Sequence, residues 1–272
     1  MTDLATPPST SASTPAEGSG GFRTWLSRKG VTRETLGMLV VPPLLIAAVF
    51  VGFVIWRQTA ELDSIEAQQL RWSEIGTLFR EHLALTVTSA IIVVALAVPL
   101  GIALTRGALR RAAPIVVAVA NAGQAAPSVG LLVLLFLWLG SGFWTAVIGL
   151  SLYGLLPVLR NTITGIQAVD PTLVEAARGV GMSNVGTLRK IELPLAIPVI
   201  MAGVRTSLVL ITGTASLACF INAGGLGEIV QTGIALFRFS LMVTGALLIA
   251  LLALFIEWVG RLLEIAYRPK GV

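Results

Sequence analysis

The chain has one cysteine, Cys219, and one histidine, His82, in 272 residues. A single thiol excludes an internal disulfide framework, and a single imidazole argues against a histidine-based metal site. Charge is scarce too: Asp, Glu, Lys and Arg make up 12% of residues, against about 25% in water-soluble domains. No G-x-x-x-x-G-K-[ST] phosphate loop is present. The three lysines are followed by Gly30, Ile191 and Gly271, which excludes ATP hydrolysis by that route. No Ser-His-Asp set or carboxylate pair suggests pocket chemistry. The expectation is a chain with no catalytic residue, metal or cofactor of its own, and with too few soluble residues for a fused solute-binding domain.

Apolar sequence fills the space. Hydrophobic residues make up 55%, and the mean hydropathy is +0.88. Most of such a chain belongs in lipid. The net charge of +5 does not indicate nucleic acid, because the basic residues punctuate apolar runs.

A span needs about 20 apolar residues. Six are expected: Met38–Trp56, Glu81–Thr105, Ala112–Leu139 (long, interrupted by Pro127), Phe143–Leu159, Pro194–Phe220 and Phe239–Gly260. With the N-terminus inside, the inner segments hold Arg23, Arg28, Lys29, Arg33, Arg106, Arg110, Arg111, Arg160, Arg178, Arg189, Lys190, Arg261, Arg268 and Lys270. Outside fall only Arg57, Arg71, Arg80 and Arg238. This bias predicts both termini in the cytoplasm and the 161–193 loop inside. The outer 57–81 loop is acidic. Residues 1–20, rich in Ser, Thr, Pro and Gly, are expected to be a disordered tail and not a cleaved signal peptide. Residues 22–36 read equally as a basic surface segment or as a positive flank.

Residues 175–194, EAARGVGMSNVGTLRKIELP, carry the most information. Asp170 and Pro171 form an N-cap and first-turn pair, predicting a short helix over 171–178. Gly179 and Gly181 should break it at a bend that β-carbons would obstruct. Ser183 or Asn184 can cap a second helix, with Val185, Leu188 and Ile191 on one side, and Pro194 opens the next span. Ala176 and Ala177 leave the first helix thin enough to enter a groove on another protein. By its residues alone, the segment reads equally as a loop helix packed on its own bundle.

Polar residues inside spans are costly and informative. Asn121, Gln124 and Ser128 follow i, i+3, i+7 spacing, with Pro127 weakening the helix among them. Arg205, Thr212 and Ser216 share a face of the fifth span. Both faces are candidates for a solute path, and both are open to the alternative of helix-to-helix hydrogen bonding. Arg205 can also pair with Glu192 or Glu257. Over 223–237, the glycines at 224, 225 and 227 allow a sharp turn or a loop dipping back into the bundle, and Glu228 reads either as a contact for a basic residue of an outside partner or as a solvated charge.

The stretch 175–194 resembles the EAA motif of ATP-binding-cassette importer permeases: Glu175, Ala176, Ala177, Gly181, Ile191, Leu193 and Pro194 match it in spacing. HLALTVTSAIIVVALAVPLGI at 82–102, QAAPSVGLL at 124–132, YGLLPVLRNTITGI at 153–166 and AGGLGEIV at 223–230 are similar to the osmoprotectant branch (glycine betaine, carnitine, choline). The resemblance implies an all-α polytopic membrane protein with the five-helix core of type I (MetI-like) importers over 74–265, plus one extra N-terminal helix at 38–56 after a 1–37 tail. It implies a coupling loop at 165–194 in which Glu175, Ala176, Ala177, Gly179, Gly181, Leu193 and Pro194 serve an ATPase. The implied partners are a pair of ATPase subunits that bind Mg-ATP, an external or periplasmic solute-binding protein, and a second permease subunit, identical or paralogous. The implied location is the bacterial inner membrane, with no nucleic acid involved. Two alternatives stand: a permease for another small amine or amino acid, and a transporter driven by an ion gradient.

Overall fold

The computed structural model describes residues 33–267, and every element in them is helical. The tail over 1–20 and most of the 22–36 segment lie outside the described residues. Contacts divide the chain after Met38. Of the first unit only the helical residues 33–38 are described, and the second unit carries everything below.

Helix α1, Arg33–Thr59, exposes most of its described apolar side chains. Among its described side chains Phe53 alone is buried, in a cluster with Leu70, Leu226 and Leu241. Further ties are the Arg57 guanidinium, which donates to the Leu70 carbonyl at 2.6 Å, and the Trp258 indole, which donates to the Leu39 carbonyl at 2.8 Å. A short helix α2, Ser64–Gln69, follows. Asp63 and Glu66 form its reciprocal capping box. Helix α3, Trp72–Leu104, starts well before the expected Glu81.

The expected third span is not one helix. After a 3-10 turn at Gly107–Ala112, helix α4 (Ala113–Ala125) and helix α5 (Ser128–Leu139) meet at 96°. Among the described residues five helices are long and apolar enough to cross a membrane, and α4–α5 makes a sixth only as a broken pair. Pro127 does more than weaken a helix here: the chain turns extended at Ala126 and Pro127. Ser128 therefore starts a different helix and does not share a face with Asn121 and Gln124, as their spacing suggests.

Helix α6, Phe143–Gln167, runs past the expected end at Leu159. Its polar tail stays helical because another helix covers it. Helix α7 (Pro171–Gly179) and helix α8 (Asn184–Thr187) come next. A π turn, Leu188–Glu192, then leads into helix α9 (Leu193–Ala215). A 3-10 turn at Ala218–Ile221, helix α10 (Gly227–Ala235) and helix α11 (Phe239–Tyr267) complete the order. The 223–237 segment is thus mostly a packed helix, with Gly224 and Gly225 making the turn that precedes it.

Contacts fix the directions. Ser89 of α3 donates to the Val147 carbonyl of α6, and Gly101 lies against Thr162, so these two helices run parallel. Helix α9 is antiparallel to both: His82 Nε2 meets the Thr212 carbonyl at 2.9 Å, and Ser207 donates to the Gly154 carbonyl at 2.8 Å. Gly203 lies against Asn161 and the Pro157 carbonyl, and Gly165 against Ala196 and Val199. Such small residues let membrane helices approach closely. The main core is built from this trio, with Leu85, Val93, Leu150, Leu159 and Ile211 fully or almost fully buried.

Candidate functional site

The end of the bundle where Leu104, Gln167 and Leu193 lie carries the loop singled out by its sequence. Asp170 caps α7 as expected, accepting from the Thr172 amide. The Thr172 hydroxyl first, and its amide second, hold the Asp170 carboxyl below the usual carboxylate range. Helix α7 stops in a paired turn: the Met182 amide donates to the Ala177 carbonyl and the Gly181 amide to the Arg178 carbonyl. Gly181 sits at φ 85°, the left-handed conformation such a turn requires. Gly179 does not share that need. It ends α7 in helical conformation with open space where a β-carbon would go. Ser183, and not Asn184, caps the next helix by accepting from the Gly186 amide.

The second helix and the fifth span are not separate elements. They form one helical rod from Asn184 to Ala215. Pro194 lies within it, lacking an amide donor and crowding the carbonyl four residues back. The Leu193 amide bonds five residues back, to the Leu188 carbonyl, and this wider turn makes room for the ring. Of the expected apolar side, Val185 is exposed, whereas Leu188 and Ile191 are half-buried.

Helix α7 stands between two hollows. One, of about 480 Å³, is apolar and lined by Leu173, Ala176, Ala177, Met182, Ile191 and Pro194 among others. The other, of about 520 Å³, is polar and includes Glu175, Arg178, Arg106, Arg110 and Glu192. Ala177 is buried, while Glu175, Ala176, Gly179 and Gly181 are exposed. Leu173, Val180 and Val185 are exposed apolar residues on the same loop.

Glu192 was expected only as one option for Arg205. It pairs instead with Arg106, with Nη1 3.1 Å from Oε1 and a second, closer bond from Nη2 to Oε2. Arg205 pairs with Glu257 at 3.4 Å and Glu264 at 3.1 Å. Its stem crosses Gly260, where a β-carbon would come within 3.2 Å. Sequence spacing places Glu257 and Glu264 two turns apart, but nothing in it points to Glu264 as a partner.

The residues proposed as path-lining are mostly occupied by bonds within the chain. Thr212 is fully buried and donates to the Leu208 carbonyl. Ser216 lies just past α9 and donates to the Gly213 carbonyl. Gln124 donates through Nε2 to the Tyr153 carbonyl at 3.3 Å, and the Tyr153 hydroxyl bonds back to the Ala126 carbonyl. Asn121 is exposed without such a tie, and Ser128 is half-buried at the start of α5.

At the opposite end, Glu81 accepts from the Gly225 amide at 3.0 Å. Glu228 is half-buried there and not simply solvated. Burial first, and the charges of Glu81 and Glu74 second, raise its carboxyl above the ordinary range.

A family model described as the binding-protein-dependent transport system inner membrane component matches residues 97–269. The chain is 40% identical over 192 residues to the glycine betaine/carnitine/choline transport system permease protein OpuCB of Bacillus subtilis (strain 168), covering 71% of this chain and 88% of that one. It is 35% identical over 236 residues to the osmoprotectant import permease protein OsmY of Salmonella typhimurium (strain LT2), covering 85% and 96%. Among solved structures, a chain of the inward-facing MetNI methionine ABC transporter superimposes with a TM-score of 0.63 at 23% identity, covering 72% and 96%, a likeness of fold.

Proposed function

This chain belongs to the family of inner-membrane components of binding-protein-dependent transport systems, and from that premise we propose that it is the permease of an ATP-driven importer for a small osmoprotectant such as glycine betaine, choline or carnitine. The observation that carries the reading is the loop itself. A capped, exposed α7, turned at Gly181, is fused through a π turn to α9. A partner that grips α7 and the apolar hollow beside it would move a membrane helix directly.

In this reading, both termini and the α7 loop are cytoplasmic in a bacterial inner membrane, following the Lys and Arg bias. Two ATPase subunits bind Mg-ATP and take hold of Glu175, Ala176, Gly179 and Gly181, buried Ala177 seats α7 on the bundle, and Leu193 and Pro194 transmit the displacement. ATP closure favours one packed arrangement of the helices and hydrolysis the other, a shift between two states. An external binding protein delivers the solute, and a second permease subunit completes the path. Asn121 is the free polar candidate for lining it, and Gln124 joins it when its bond to Tyr153 opens.

Reconstitution tests the proposal. Uptake of radiolabelled glycine betaine should require ATP, the ATPase and the binding protein together. Uptake driven by a sodium or proton gradient alone would overturn it. A second reading, a permease for another small amine or amino acid, draws on the fold shared with a methionine transporter. Competition by choline, carnitine, proline and methionine in the same assay separates the two.

A further inference from the structure

Glu192 is the one carboxylate among the described residues that is almost fully buried, its side chain 4% exposed. A buried carboxylate needs a partner of opposite charge and good geometry. It has one, Arg106, which grips both oxygens. The fork geometry fixes direction as well as distance. The location of the two residues gives the pair its meaning. Glu192 is the last residue of the π turn, directly before Leu193 and Pro194. Arg106 lies just past the end of α3 and opens the turn into α4. The pair therefore bolts the root of the α7–α9 element to the junction of two other membrane helices.

A third charge is involved. Arg178, in the last turn of α7, lines the same hollow as Arg106 and Glu192. Burial first, and the Arg178 charge second, depress the Arg106 guanidinium. Arg106 is thus attracted by the rod and repelled by the end of α7, so a shift of α7 alters the force on it.

We infer that Arg106 and Glu192 are positioning residues that make α3 and α4 move with α9 when the ATPase displaces α7. Without the pair, displacement of α7 would bend the rod at its π turn and leave the α3–α4 junction behind. This rests on the permease reading above. It extends that reading to two residues outside the gripped surface.

The test uses the whole reconstituted complex with its ATPase and binding protein, and reads ATP hydrolysed per solute imported. Glu192→Gln should raise that ratio about tenfold while ATPase binding and hydrolysis persist. The double variant Arg106→Met, Glu192→Leu keeps the volume apolar and avoids a lone buried charge. It should insert and bind the ATPase normally, yet show the same raised ratio. A normal ratio in the double variant would make the pair merely structural and sink the inference. A wild-type complex that imports nothing would overturn the permease reading and this one with it. A working wild type with an unchanged ratio in Glu192→Gln would overturn this one alone.

Discussion

The Gln124 side chain donates to the Tyr153 carbonyl, 3.3 Å away. That carbonyl is the one left without a helical donor by Pro157, four residues on. In return the Tyr153 hydroxyl bonds to the Ala126 carbonyl, which the break before Pro127 leaves free. Two proline-bearing elements thus satisfy each other's orphaned acceptors across the α4–α5 corner.

Removing this exchange should loosen the corner. Tyr153→Phe loses one bond and Gln124→Ala the other, each expected to cost about 1 kcal/mol. Hydrogen exchange at residues 124–130 should speed up in both variants, with the rest of the bundle unchanged. Unaltered exchange would mean the corner is held by packing alone.

Gly181→Val forces a β-branched residue to φ 85°, a strain of about 1–2 kcal/mol or more. It should abolish uptake while membrane insertion continues. Gly179→Ala, in helical conformation with open space around it, should leave the melting temperature unchanged. If it also lowers uptake, the loss lies at the partner's surface. Pull-down of the ATPase separates the two effects.

Arg205 bridges α9 to two carboxylates of α11. Arg205→Met leaves those carboxylates without their cation. The expected loss is about 1–2 kcal/mol, between the values for exposed and buried pairs. Adding Glu264→Gln should recover part of it. The readout is thermal stability in detergent, and no recovery would assign the loss to packing of the Arg205 stem over Gly260.

Glu228 has a carboxyl raised above its unfolded value, chiefly by burial, with Glu81 and Glu74 adding to it. A raised carboxyl favours the folded state only while protonated. Its contribution is present below the unfolded value and lost as pH rises through the folded one. Glu228→Gln should therefore melt higher than wild type at neutral pH. The advantage should close as pH falls from the raised value to the ordinary carboxylate one. A constant difference across that range would rule out ionisation as the cause.

The loop was legible because its signals are local. Asp170, Pro171, Gly181 and Ser183 each act on backbone within a few residues. Helix existence was legible from apolar length. The ends were not: Asn161 and Thr162 look like loop residues until α9 covers them. The corner at Pro127 is sharper than its sequence signals, because one proline reads as a kink and the extended Ala126 gives no warning. The ion pairs join residues 86 and 59 positions apart, a separation that periodicity does not reach. One clue was available for Tyr153. Any residue four before a helical proline has a carbonyl in need of a donor.

The unbroken rod from Asn184 to Ala215 has 32 residues and, at 1.5 Å per residue, is about 48 Å long. Pivoted near one tip, a tilt of about 5° sweeps the far tip through roughly 4 Å, a sideways travel wider than a water molecule. A modest tug at one rim of the bilayer can therefore open or shut a water-sized gap at the other, with no helix needing to unwind.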